Sequence, residues 1–113
     1  IGVAPYPDLG GLEQQYFSPM KVLEYLAAGL AVVASDVGQI PQLLGEGSQR
    51  HGVLVAPSDP TALAAALDDL AASPQRRARM GRDGRLLAEE CHSWNRVVSR
   101  ILGLAGVAEG GGR

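Results

Sequence analysis

The sequence lacks the features that would mark it for nucleic acid, for a zinc cluster or for a disulfide framework. Its one cysteine, Cys91, can form neither an intramolecular disulfide nor a cysteine zinc cluster within these residues. Aromatic residues make up 4% of the chain, too few for the stacking platforms that bind single-stranded nucleic acid. Ten basic and twelve acidic residues give a formal net charge of −2, so no positive field exists to gather nucleic acid or anionic lipid.

Long apolar runs are also missing. No segment approaches the roughly 18 consecutive apolar residues of a membrane span, and no charged-then-apolar leader opens the chain. We therefore expect a soluble, cytoplasmic protein. The 113 residues begin at Ile1 in a strand-like segment without an initiator methionine, which we interpret as a fragment of a longer polypeptide. With 46% hydrophobic and 19% charged residues, the composition is that of a globular domain or of part of one.

Short segments rich in valine and alanine alternate with longer segments of helical spacing. This rhythm predicts an α/β fold with a parallel sheet. The predicted strands are residues 1–4, 31–35 and 52–56. The central one is apolar throughout, which is typical of a strand covered on both faces.

Helix starts are the clearest local signal. Serine or aspartate precedes proline at residues 18–19, 59–60 and 73–74, which pairs a capping oxygen with a residue preset for the first helical position. We predict helices at residues 19–28, 60–72 and 74–91, a short helix within 38–47, and a last helix after Ser93. The first helix is expected to be buried nearly all round, the 74–91 helix to expose an arginine-rich solvated face, and the last to pack Trp94, Val97, Val98, Ile101 and Leu102. Residues 1–106 would form the partial domain, and the glycine-rich residues 107–113 a disordered tail.

Two charged residues in the first helix need an explanation. Lys21 and Glu24 are three residues apart in a segment that is otherwise apolar, so they either pair with each other or face a polar ligand. A helix that begins after a parallel strand and a glycine-bearing loop presents free amides and a partial positive charge, which suit an anion. Lys21 would add a full positive charge there, and Glu24 could accept hydrogen bonds from a ribose diol. The spacing suits a nucleotide diphosphate.

The residues around this helix carry a family resemblance. Residues 18–29, 31–38 and 40–41, and later 52–55, 59–60, 79–81 and 93–94, resemble in order and spacing the C-terminal, donor-binding domain of GT-B glycosyltransferases of the family-4 type. The resemblance implies the second half of a Rossmann-like sheet and transfer of a hexose or related sugar, with retention, from a nucleotide-diphosphate sugar to an unknown acceptor. It implies neither a metal nor a separate cofactor.

The resemblance also assigns roles to residues. By this resemblance Glu24 binds the ribose, and the helix amides around Ser18, Pro19, Met20 and Val22 bind the diphosphate. Because negative charge builds on the departing diphosphate, we expect Lys21 to neutralise it. An acceptor-binding N-terminal domain and the first half of this domain are implied but absent from the sequence, so we expect the 113 residues alone to be inactive.

Two positions depart from the family pattern. Many members carry a glutamate, said to contact the donor sugar, where this chain has Tyr16, and a glutamate is usual at Gln42. Variants that begin Ser-Pro-x-Lys also lack the first glutamate, so the assignment stands without a residue for sugar recognition. Glu13 is a weak substitute for it.

Several other interpretations stay open. Ser18 and Lys21 have the spacing of a serine nucleophile and lysine base in penicillin-recognising enzymes, although the partner motifs are absent. The chain could also be a non-catalytic nucleotide or sugar-phosphate binding module. Cys91 beside His92 and the loop residue His51 are more simply structural, and the arginine cluster could meet a membrane surface.

Overall fold

The computed structural model describes residues 1–7, 20–45 and 50–106. Within these ranges the chain forms three strands, β1 (Gly2–Ala4), β2 (Val32–Ser35) and β3 (Val53–Val55), and five helices. The helices are α1 (Met20–Ala27), α2 (Ile40–Leu44), α3 (Pro60–Ala71), α4 (Pro74–Cys91) and α5 (Trp94–Leu104). The predicted strands and helices are present, and each strand is one residue shorter than predicted at one end or at both. The predicted tail, residues 107–113, lies outside the described residues.

The strands form one parallel sheet in the order β1-β2-β3. Gly2 pairs with Val32 and Val33 with Val53, so the three strands end at the same edge. All four residues of β2 are buried, which agrees with the prediction of a strand covered on both faces. This arrangement confirms the predicted fold, a partial Rossmann-like sheet with flanking helices.

Two hydrophobic cores cover the two faces of the sheet. Val32 and Ala34 of β2 pack with Val22 and Leu26 of α1, together with residues of α2 and α4. Val33, which points the other way, packs with α3, where Leu70 is fully buried. The exposed pair Asp68 and Asp69 lies on the outer face of α3, as its apolar spacing predicted. The fold therefore has three layers, with β2 at its centre.

Capping side chains are confirmed at Asp59 and Ser93, whereas Ser73 precedes α4 without making the predicted side-chain hydrogen bond. The Asp59 side chain accepts a hydrogen bond of 2.9 Å from the Ala62 amide at the start of α3, and Ser93 accepts one of 3.3 Å from Arg96 at the start of α5. Helix α1 ends at Ala27, and the chain turns away at Gly29, whose φ of 74° is a positive value that glycine tolerates best.

Helix α4 crosses close to the end of α1 at two glycines. A Cβ atom on Gly81 would collide with the carbonyl group of Gly29, and one on Gly84 would stand 2.9 Å from a methyl group of Leu26. Both glycines are buried. The close approach of the two helices therefore depends on the absence of side chains at these positions.

We expect Gly81→Ala to destabilise the chain by about 1–3 kcal/mol, because the added methyl group meets a backbone carbonyl that has no flexible end to move. Thermal unfolding followed by circular dichroism measures the change. Gly103→Ala is the matched control, since nothing lies within 4 Å of the added atom in α5. A Gly81→Ala variant as stable as the Gly103→Ala control would contradict the packing described for α1 and α4.

The arginine-rich face of α4 is largely exposed, as expected, but two of its arginines also bind backbone carbonyl groups of other helices. The Nη1 atom of Arg77 donates to the carbonyl oxygens of Leu70 and Ala71 at 2.6 and 2.7 Å, and that of Arg85 donates to Ala27 at 2.6 Å. These carbonyl groups belong to the last turns of α3 and α1, where the helix itself supplies no donors. Arg77 and Arg85 thus cap neighbouring helices. Arg77 is half-buried, whereas the other four arginines are exposed as expected: Arg76, Arg79, Arg82 and Arg85.

Two burial predictions were wrong. Helix α1 is not buried all round, because only Val22 and Leu26 are buried and Met20 is 58% exposed. Helix α5 has no buried residue, and Trp94, predicted to anchor its packing, is 82% exposed. Apolar spacing identifies the face of a helix that can pack, but it does not supply the surface to pack against.

Candidate functional site

The three strands end around a cavity at the carboxyl edge of the sheet. It has a volume of about 380 Å³ and is lined by the segment after β1, the last residue of β2 and the turn from β3 into α3. The lining residues include Tyr6, Ser35, Ser58 and Asp59. Open parallel α/β sheets bind ligands outside the carboxyl ends of their strands, and the cavity is at this place in the fold.

Lys21 lies in the first turn of α1 and is directed to the same edge of the sheet. Its Nζ atom stands 5.5 Å from the centre of the Tyr6 ring, within the range of a cation–π contact. Lys21 and Glu24 do not form an ion pair. Among the described residues, the one salt bridge joins Arg85 and Glu89, at 2.7 Å. The interpretation of Lys21 and Glu24 as an internal ion pair is therefore wrong. Lys21 is exposed, and within the described ranges no carboxylate pairs with its ammonium group.

Glu24 lies one turn further along α1 and faces a different cavity. This second cavity, of about 570 Å³, lies among α1, the end of α4 and the start of α5. Met20, Leu23 and Ala27 line it from α1, and His92, Trp94 and Val97 line it from the other side. Glu24 is exposed there. Its carboxylate is thus a charged acceptor at the edge of a largely apolar groove that begins at the start of α1.

The structure adds two residues that the sequence did not single out, Tyr6 and Ser35. The Tyr6 amide donates a hydrogen bond of 2.7 Å to the Oγ atom of Ser35, which is 2% exposed. This contact ties the segment after β1 to the end of β2. The available signal was a serine at the end of an otherwise apolar strand, together with a tyrosine placed between Pro5 and Pro7.

The other predicted binding residues divide into two groups. Met20 is 58% exposed at the start of α1, whereas the Val22 side chain is fully buried, so Val22 could offer a ligand only its backbone amide. Ser18 and Pro19 lie outside the described residues, as do Glu13 and Tyr16.

Both histidines contact the backbone of α2, and the cysteine lies at the end of α4. The Nε2 atom of His92 lies 3.3 Å from the carbonyl oxygen of Leu43 in α2, and the His51 amide donates to Leu44 at 2.6 Å. Cys91 is exposed. In residues 1–7, 20–45 and 50–106 no three histidine, cysteine or acidic side chains cluster as a metal site would require. No helix in these same ranges is both long and apolar enough to span a membrane.

Comparisons with known proteins show the family of the chain. Residues 3–73 match the family model described as glycosyl transferases group 1. The chain is 42% identical over 77 residues to a D-inositol 3-phosphate glycosyltransferase of Streptomyces avermitilis, covering 68% of this chain and 16% of that protein. It is 34% identical over 83 residues to an MMP alpha-(1->4)-mannosyltransferase of Mycolicibacterium hassiacum, covering 74% of this chain and 20% of that one.

A solved structure is also similar. Sucrose-phosphate synthase from Thermosynechococcus elongatus matches with a TM-score of 0.69 at 28% identity, over 80% of this chain and 22% of that one. The chain therefore spans about a fifth of the length of the proteins that it matches.

Proposed function

The chain belongs to the group 1 glycosyl transferases, and from this membership we propose that it binds a nucleotide-diphosphate sugar from which a sugar is moved to an acceptor. The observation that carries the proposal is the placement of Lys21. It is an exposed cation in the first turn of a helix, at the carboxyl edge of a parallel sheet, and the described residues show no carboxylate paired with it.

The diphosphate would bind at the start of α1. The first amides of a helix have no partners within the helix and carry partial positive charge, and Lys21 adds a full charge beside them. An anion bound there would interact with the helix amides and with the Lys21 ammonium group together. Met20 and Val22 would contribute through their backbone amides.

The ribose would bind one turn further along, at Glu24. A carboxylate accepts hydrogen bonds from both hydroxyl groups of a vicinal diol, and Glu24 is exposed on the groove that begins at Met20. The nucleotide would therefore lie along α1, with its phosphates at the first turn and its ribose beside the second. This direction follows from the separation of Lys21 and Glu24 along the helix.

Sugar transfer builds negative charge on the departing diphosphate. As the bond between the anomeric carbon and the phosphate oxygen breaks, its electron pair goes to that oxygen. A fixed cation and oriented amides stabilise this charge more in the transition state than in the bound donor, which is the condition for catalysis. We propose this role for Lys21, and we further propose that the transfer retains the configuration at the anomeric carbon, as family-4-type enzymes do.

The rest of the enzyme would come from other parts of a longer polypeptide. Since the chain spans about a fifth of its relatives, we propose that an acceptor-binding domain and the first half of the donor domain complete the site. We also propose a cytoplasmic location. We expect the 113 residues alone to transfer no sugar, because the family resemblance implies that the acceptor binds to another domain. Transfer of radiolabelled sugar to a panel of acceptors measures this activity. Transfer by the 113 residues alone would contradict the proposal that other parts of a longer polypeptide complete the site.

Calorimetric titration of the chain with UDP, GDP and ADP tests the proposed function. We expect one of the three to bind at a single site, more tightly than its nucleoside monophosphate, because the second phosphate adds charge at the helix start. Lack of any preference for diphosphate over monophosphate would contradict the proposal. A non-catalytic binding module gives the same titration, so it is separated by testing sugar transfer in the longer polypeptide. Labelling of Ser18 by a fluorophosphonate would instead support the serine-nucleophile interpretation.

A further inference from the structure

Three residues from separate elements form a chain of contacts at the carboxyl edge of the sheet. The buried Ser35 Oγ accepts the Tyr6 amide at 2.7 Å, and the Tyr6 ring lies under the Lys21 ammonium at 5.5 Å. Ser35 ends β2, Tyr6 follows β1, and Lys21 opens α1. The function proposed above uses only Lys21, so the other two residues are not yet explained.

The backbone of Tyr6 is constrained at several points. Pro5 and Pro7 have fixed φ angles, and a residue that precedes a proline is restricted to extended conformations. The hydrogen bond to Ser35 fixes the amide in addition, and Ser35 is itself held in the central strand. The Tyr6 ring is therefore presented from a rigid base.

Lys21, by contrast, is an exposed side chain with a flexible stem. A lysine of this kind samples many rotamers, and each must be given up when the ammonium group binds a phosphate. An aromatic face that attracts the ammonium group limits these rotamers before the ligand arrives, which lowers the cost of binding.

We propose that Tyr6, anchored by Ser35, is a positioning residue that holds the Lys21 ammonium at the phosphate-binding end of α1. This inference rests on the proposed function. Tyr6 acts through Lys21 and needs no contact with the nucleotide, and the face of its ring carries the effect on the ammonium group. Tyr6→Phe should therefore behave like the unsubstituted chain, whereas Tyr6→Leu should not.

The chain contains a single lysine, so the geometry can be measured directly. With ¹³C-labelled lysine, the spectrum of the chain shows one CεH₂ resonance, and we expect the Tyr6 ring current to move it upfield of its ordinary position. Tyr6→Phe should retain the shift and Tyr6→Leu should abolish it. A resonance at the ordinary position in the unsubstituted chain, or one unmoved by Tyr6→Leu, would overturn the proposal.

Titration with inorganic pyrophosphate, followed on the same resonance, tests the consequence for binding. We expect the affinity of Tyr6→Leu to fall about two- to fivefold, the size of an exposed cation–π contact, and that of Tyr6→Phe to stay unchanged. If Tyr6→Leu does not fold, Ser35→Ala tests the proposal instead. Loss of the hydrogen bond to the Tyr6 amide should also move the Lys21 resonance toward its ordinary position and weaken pyrophosphate binding.

Different results would contradict the positioning role of Tyr6 and the proposed binding of the donor. Equal pyrophosphate affinities in Tyr6→Leu and the unsubstituted chain would contradict the positioning role and leave the proposed function standing. Absence of pyrophosphate binding to the unsubstituted chain would contradict the proposed function, and the positioning role would fall with it even if the ring-current shift is present.

Discussion

Lys21→Ala is expected to lower the turnover of the longer polypeptide about a hundredfold, the effect of removing one preorganised group that stabilises transition-state charge. The side chain is exposed and contributes nothing to either core, so the melting temperature should stay within the range of a surface substitution. Turnover is measured by release of nucleoside diphosphate under saturating donor.

Two matched variants control this experiment. Lys21→Arg keeps the positive charge and should retain part of the turnover. Arg79→Ala removes an exposed positive charge from α4 that lines neither cavity, and it should have little effect. A Lys21→Ala enzyme with unchanged turnover would show that the charge on the leaving group is neutralised elsewhere. A large loss of thermal stability would show instead that Lys21 has a structural role.

The second large effect is expected at Glu24. Glu24→Ala should weaken binding of the nucleoside diphosphate by about ten- to a hundredfold, since hydrogen bonds to a charged group contribute about 1.5–3 kcal/mol. Calorimetry gives the dissociation constant. Glu90→Ala is the matched control, because it removes an exposed carboxylate of α4 that lines neither of the two cavities described above.

A ligand lacking one ribose hydroxyl group makes the Glu24 assignment specific. If the carboxylate binds the diol, the loss from Glu24→Ala and the loss from a 2′-deoxy nucleoside diphosphate are not additive, because both remove the same hydrogen bond. Additive losses would show that Glu24 affects binding without contacting the 2′-hydroxyl group. Unchanged binding in Glu24→Ala would refute the ribose assignment outright.

Local signals in the sequence determined most of the fold correctly. The proline pairs at 59–60 and 73–74 located the starts of α3 and α4, because the fixed φ of proline acts locally, and at α3 the Asp59 cap adds to it. The apolar run of β2 correctly predicted burial on both faces, because it too is a local pattern of a few residues. Burial of α1 and α5 could not be predicted in this way, since it depends on which surfaces surround a helix. In α5, Trp94, Val98 and Ile101 have the right spacing and remain exposed.

The candidate site was predicted in part. Lys21 and Glu24 stood out because they are charges in an apolar helix, which is visible within four residues. Tyr6 and Ser35 did not stand out, because their contact joins residues 29 positions apart and depends on the register of β1 and β2. The capping roles of Arg77 and Arg85 were missed for a related reason, since the carbonyl groups that they bind belong to other helices.

The arrangement of Lys21 and Glu24 is tested most directly by a crystal structure of the chain, or of the longer polypeptide that contains it, soaked with UDP, GDP or ADP. We predict density for the two phosphates at the first turn of α1 beside the Lys21 ammonium, and for the ribose within hydrogen-bonding distance of the Glu24 carboxylate. Density only in the cavity beside Ser58 and Asp59, with neither Lys21 nor Glu24 in contact, would contradict the proposed donor site.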